Sequence, residues 1–187
     1  MILVLYSILL TKGADNVLNE MDHSTNTLIS THGYCSQELI NLMLVGRASS
    51  NVADGDVDMG EDIVLKGVNT KSQIGFLTLF EHYGYFEVGT NLKNPKIPIF
   101  IVCSESHYSV LFGFDMDIIQ KQKKAGFDLI FYDGLIRQEE QIVLSLTQKK
   151  PKQFKEEEEE IIPPIELVIR TKWKNVDIDW NGSTKIL

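Results

Sequence analysis

From Pro95 onward the sequence is a series of short apolar runs. Lys96 to Ser104, His107 to Phe114, Phe127 to Tyr132 and Gln141 to Leu146 are rich in Val, Ile, Phe and Tyr and are separated by polar links. Runs of this length and composition form strands. Strands joined by short links pair antiparallel, because a parallel neighbour needs a crossover of a dozen residues or more. Asp133-Gly134 is a turn pair between the third and fourth runs. This half of the chain is therefore expected to form a mainly antiparallel sheet. Residues 148–164 hold Lys149, Lys150, Lys152 and the run Glu156 to Glu160, too charged to pack, and read as a flexible charged insertion. Order returns at Ile165 to Ile169, and Trp173 and Trp180 are expected to cover a core edge.

The first half reads as helical. Met1 to about Thr11 forms a helix stopped by Gly13, and a second covers roughly Ala14 to Met21. The apolar opening is half the roughly 20 residues that a membrane span needs and lacks a basic leader, so a buried helix is expected. Ser36 caps a helix with Gln37 and Glu38 in its first turn and Gly46 as a left-handed stop. Asn51 to Gly60 should be an exposed connection, followed by a short strand at Ile63 to Leu65. Ser72 then caps a helix to about Tyr83, with Ile74, Leu77 and Phe80 at helical spacing and Gly84 at its end. The fold class is α+β, N-terminal helices followed by a mainly antiparallel sheet, and 187 residues suffice for one compact unit.

Charge narrows the function. Acidic residues number 26 against 18 basic, a net charge of -8, which excludes the broad cationic surface that nucleic acid or an anionic membrane would need. Two cysteines, Cys35 and Cys103, make neither a disulfide framework nor a zinc cluster, and point to a reducing, intracellular compartment. The sequence holds no phosphate-binding glycine loop, HExxH helix or GxSxG elbow, and Asp54, Asp56 and Asp58 lack the glutamate and loop length of a calcium hand.

Among four histidines, His107 has the setting that suits proton transfer. It follows the polar break Cys103 to Ser106 and starts a strand at a sheet end, where a cleft can form. Alternation puts His107, Ser109 and Leu111 on one face and Tyr108, Val110 and Phe112 on the other. A structural or surface histidine fits the same position. Cys103 is four residues away, about 13 Å in extended chain, and could meet His107 only across a sharp bulge. Cys35 stands near a helix start three residues after His32, where a thiol pKa can fall, although Gly33 equally serves a plain turn into that helix. Asp133 ends the strand expected to pair with that of His107, so it either orients the imidazole or caps the turn it begins.

Several blocks resemble one family. His32 to Leu42, Gly46-Arg47-Ala48, Ser50-Asn51-Val52, Ile74 to Tyr83, Val102 to Phe112, Phe131 to Leu135, Arg170 to Trp173 and Trp180 to Ser183 are similar, in order, to the blocks of the MINDY deubiquitinases, in the branch of the third and fourth members. The resemblance spans nearly the whole chain apart from the charged insertion. It implies that residues 1–187 are the C-terminal part of a catalytic domain with an incomplete papain-like cysteine-peptidase fold. It further implies a thiol peptidase, without metal or cofactor, that opens isopeptide bonds in lysine-48-linked polyubiquitin. Ubiquitin and its chains would be the partners, nucleic acid and membrane would not, and the location would be cytoplasmic or nuclear. The catalytic histidine of the family corresponds to His107. The family's nucleophile stands on a Gly-Gly-Pro-Cys stretch that these residues do not contain, and Cys35 belongs to a different block. A catalytically inactive ubiquitin-binding module or a fragment is the alternative reading.

Overall fold

The computed structural model describes residues 2–61, 63–119, 126–148 and 162–186. The expected insertion at 148–164 falls almost wholly outside them. The chain forms two compact units rather than one, the first made of residues 1–73 and 89–92, the second of 74–88 and 93–187.

The first unit carries α1 (Ile2–Lys12), α2 (Ala14–Asn19) and α3 (Gln37–Val45). Ser36 Oγ accepts the Leu39 N–H, and Gly46 ends α3 at φ 73, the two signals expected from the sequence. Val17, Met21, Leu42 and Ala48 form a small core. Helix α1 is not the buried helix expected. Ile8 and Leu9 pack on that core, while Ile2, Leu3, Val4, Tyr6 and Leu10 are exposed. With Ser7 the one polar break before Thr11, the apolar run specifies little facing direction, and within this unit α1 has packing partners on one side.

The Asn51–Gly60 connection is exposed as expected in its last part, but that part, β1 (Val57–Gly60), pairs antiparallel with β2 (Ile63–Leu65). Two carboxylates tie this region down. Arg47 donates from both terminal nitrogens to Asp56, each at 2.9 Å, and Asp54 accepts the Thr90 and Asn91 N–H groups at the helical turn Thr90–Lys93. The Arg47 hydrogen bond holds the Asp56 carboxyl below its ordinary value. Burial opposes ionisation of Asp54, yet its bonds from Thr90 and Asn91 outweigh burial and lower it too. A carboxylate with a depressed folded pKa stabilises the fold fully above its unfolded value, near pH 4, and loses that contribution as pH falls through the folded value. The thermal midpoint is therefore expected to drop as pH falls below about 4, and Asp56→Asn to flatten this part of the curve. An unchanged slope in the variant refutes the assignment.

The second unit is built on a six-stranded sheet of β3 (Gly75–Thr78), β4 (Ile99–Ser104), β5 (His107–Phe112), β6 (Phe127–Tyr132), β7 (Ile142–Gln148) and β8 (Val176–Asp179), in that order. The first pairing is parallel and the other four are antiparallel. Strand β3 replaces most of the helix expected over 72–83. All four of its residues are buried, so both faces are covered, and the helical spacing of Ile74, Leu77 and Phe80 was outweighed by pairing with β4. A helix remains only at α4 (Leu79–His82), capped by Thr78.

Alternation assigns one sheet face to the core. Phe100 and Val102 from β4, Leu111 from β5, Leu129 and Phe131 from β6, and Leu144 and Leu146 from β7 share a cluster with Ile165, Val168 and Ile169 of α5 (Pro164–Lys172). Each such side chain contributes about 1.5–3 kcal/mol by leaving water. Pro164 at the start of α5 supplies a fixed φ where no N–H is needed. The buried Glu166 carboxylate accepts from Trp180 Nε1 at 2.9 Å and Arg170 at 2.8 Å, tying α5 to the segment after β8. Trp173 and Trp180 lie within this core rather than over its edge.

Candidate active site

His107 is presented by the β4–β5 hairpin. Ser104 pairs with His107, leaving Glu105 and Ser106 as a two-residue turn. Such turns need a positive φ at the first central position to match strand twist, a position that favours glycine. Glu105 occupies it at φ 56, at a cost of about 1–2 kcal/mol. Glu105→Gly is expected to raise stability by about 0.5–1 kcal/mol net of the added chain entropy. The urea midpoint measures it, and a fall in the midpoint refutes it.

The core stripe of β5 runs Leu111, Ser109, His107 and turns polar as it approaches the N-terminal end of α5. On β6 the same face runs Leu129, Phe131, Asp133. Leu111 pairs with Phe131 and Val110 with Tyr132, so continuing the register sets Ser109 opposite Asp133, with His107 on the diagonal. The two polar ends meet in a cavity of about 350 Å³ whose walls include Ser104, Glu105, Pro164 and Ile165, with Ile186 from the C-terminal segment.

Within it, His107 Nε2 and Asp133 Oδ2 are 2.5 Å apart, the imidazole 38% exposed and the carboxylate 3%. An ionised carboxylate only accepts, so Nε2 is the donor and the unprotonated nitrogen of the neutral ring is Nδ1. The other oxygen, Oδ1, accepts the Leu135 N–H at 2.9 Å, closing the turn at Asp133-Gly134. The two contacts open to Asp133 in the sequence, with the ring and with the turn, thus fall to different oxygens of one carboxylate. Gln138, which sequence patterning does not single out, lies beside it. Its Oε1 accepts the Asp133 N–H at 2.7 Å, and its Nε2 donates to the Phe131 carbonyl at 3.2 Å. A glutamine in a loop carries no periodicity or turn signal by which it could have been found.

Neither cysteine shares this site with His107 as a hydrogen-bonded partner among the described residues. The path from Cys103 to His107 is folded back by the hairpin, so it is a turn rather than a bulge that relates them, and orientation separates them. Cys103 pairs with Tyr108, placing its side chain on the face opposite that of His107. Its thiol donates to the Glu105 carbonyl at 3.2 Å. Burial pushes its pKa up, despite opposing hydrogen bonds with Tyr108 and Thr78, which disfavours the thiolate. Cys35 precedes the Ser36 cap of α3, its backbone bridged to Ile29, and makes no hydrogen bond with His32 among the described residues.

Comparison with known proteins places the chain in a family. A family model described as the conserved domain of the deubiquitinating enzymes MINDY-3/4 matches residues 1–182. The chain is 45% identical over 193 residues to the protein named probable ubiquitin carboxyl-terminal hydrolase MINDY-4 of Bos taurus, and 42% identical over 191 residues to that of Homo sapiens. In both cases 100% of this chain and 25% of the relative are covered. Ubiquitin carboxyl-terminal hydrolase MINDY-3 of Bos taurus is 48% identical over 119 residues, covering 63% of this chain and 26% of the relative. The chain thus spans about a quarter of the length of the MINDY-4 proteins it matches. No solved structure matches it. On the family model and the alignment of this whole chain to part of MINDY-4, the chain belongs to the MINDY-3/4 conserved-domain family of deubiquitinating enzymes.

Proposed function

We propose that His107 and Asp133 are the imidazole half of a thiol isopeptidase site that opens the bond between the C-terminus of one ubiquitin and a lysine amine of the next. The observation that carries this reading is the 2.5 Å bond between Asp133 and His107 Nε2 beside an open cavity. It holds the proton on Nε2 and leaves Nδ1 as the base. His107 Nδ1 takes the thiol proton, the thiolate attacks the carbonyl carbon, and the imidazolium returns that proton to the departing lysine amine. Water then attacks the resulting thioester with the same imidazole as base, and the thiol is released. Asp133, buried beside the ring, keeps the imidazole in place through each half-reaction.

The thiol is one other than Cys103, whose face and burial disfavour it. In the family the nucleophile stands on a Gly-Gly-Pro-Cys stretch, and no such stretch occurs in these 187 residues. Helices, an antiparallel sheet and a histidine at the sheet end support a papain-like arrangement. Lysine-48-linked chains are assigned as the substrate on the resemblance of the blocks at 32–42, 74–83 and 102–112. A cytoplasmic or nuclear location fits two free thiols. No described helix is long and apolar enough to cross a membrane.

The test uses the full-length protein. Ubiquitin bearing a C-terminal propargylamide is expected to form a one-to-one covalent adduct, and lysine-48-linked chains to be cut faster than lysine-63-linked ones. A protein that binds chains but forms no adduct is a binding module, and the enzymatic reading then fails. Equal cutting of the two linkages overturns the substrate assignment alone.

A further inference from the structure

The hydrogen bonds of Gln138 mark a feature beyond the His107–Asp133 pair. The ladder between β6 and β7 ends at Phe131 and Ile142, so past that point β6 loses its neighbour on that side. In a strand, the carbonyl of residue i-1 and the N–H of residue i+1 point to the same edge. At Tyr132 these are the Phe131 carbonyl and the Asp133 N–H, and the Gln138 amide takes both, donating to the first and accepting from the second. A side-chain amide thereby stands in for the next backbone amide of β7. It extends the edge of the sheet by one residue, the residue that carries the carboxylate on His107. The Asp133 side chain is set by its bonds to Leu135 N–H and His107, and its backbone by Gln138.

We infer that Gln138 is a positioning residue of this site, acting through Asp133 to hold the His107 proton on Nε2 and so keep Nδ1 as the base. The inference rests on the His107–Asp133 reading and adds to it the element that makes the pairing rigid. If Gln138 lets go, Asp133 sits on a nine-residue connection between β6 and β7, residues 133–141, rather than on a strand end. The carboxylate is then free to leave the ring, and the two neutral tautomers become comparable in population.

The experiment is nitrogen-15 NMR of the 187-residue chain, reading the two ring nitrogens of His107 with the imidazole neutral. The wild type is expected to hold the Nε2–H tautomer. In Gln138→Met, of similar length but without the amide, the ratio of Nε2–H to Nδ1–H is expected to fall about tenfold, the size of one hydrogen bond to a charged group. The amide resonances of Ile101 and Leu144 should keep their shifts, which reports an intact sheet. Gln138→Glu keeps an acceptor for the Asp133 N–H but loses the donor to Phe131, and is expected to fall between the two. It also decides the matter if Gln138→Met does not fold. A purely structural glutamine would lower the melting temperature and leave the tautomer ratio within twofold of wild type, which overturns the inference. A wild type without the Nε2–H tautomer overturns the His107–Asp133 pairing itself and the role of Gln138 with it.

Discussion

His107→Ala, made in the full-length protein, is expected to lower kcat on lysine-48-linked di-ubiquitin by about 10⁴-fold, with a much smaller change in binding. In the proposed mechanism the effect is large because one side chain would perform two steps, taking the thiol proton and protonating the leaving amine, and no other described histidine bonds to Asp133. Asp133→Ala should cost less, about 10- to 100-fold, since a mobile imidazole still acts as a base in a fraction of encounters. It also leaves the Leu135 N–H without its acceptor, so part of its effect will appear as lost stability. Single-turnover cleavage separates chemistry from binding. Retention of His107→Ala activity within tenfold of wild type would remove this histidine from the mechanism.

The largest effect on stability is expected at Trp173. Its ring meets Phe100 edge-on at 5.3 Å and lies 5.5 Å from Phe127, its Nε1 donates to the Ile118 carbonyl at 3.1 Å, and Lys172 Nζ sits 5.2 Å from its centre. It is 3% exposed. Trp173→Ala empties a site bounded by α5 and the sheet and removes the indole donor from the Ile118 carbonyl, at a cost of about 3–5 kcal/mol. For a chain of this size that lowers the melting temperature by about 10 °C. Trp173→Phe should recover part of the packing but not the hydrogen bond. A shift under about 3 °C in Trp173→Ala would mean that the core does not close on this ring.

The sequence was most informative where a signal is local. The Ser36 cap and Gly46 stop bound α3, the alternation of His107 to Phe112 is that of β5, and Phe127 to Tyr132 is β6. It misled at 72–83, where Ile74, Leu77 and Phe80 fit a helical period but Gly75 to Thr78 form a fully buried parallel strand. Three apolar residues fit either period, and only pairing with β4 decides between them. The apolar opening of α1 likewise fixed a helix but not which side is covered.

For the site, the residues themselves determined the polar end of an apolar stripe at His107, an aspartate at the end of the neighbouring strand, and the family to which the blocks belong. They could not determine that Asp133 bonds to Nε2, that Cys103 faces away, or that Gln138 grips the edge of β6. Caps, turns and periodicity are written over a few consecutive residues and follow from backbone sterics and the pleat. The distance between residues 26 apart follows instead from strand register, which is set when the whole face from Phe100 to Leu146 packs under α5, and that is a property of the assembled sheet.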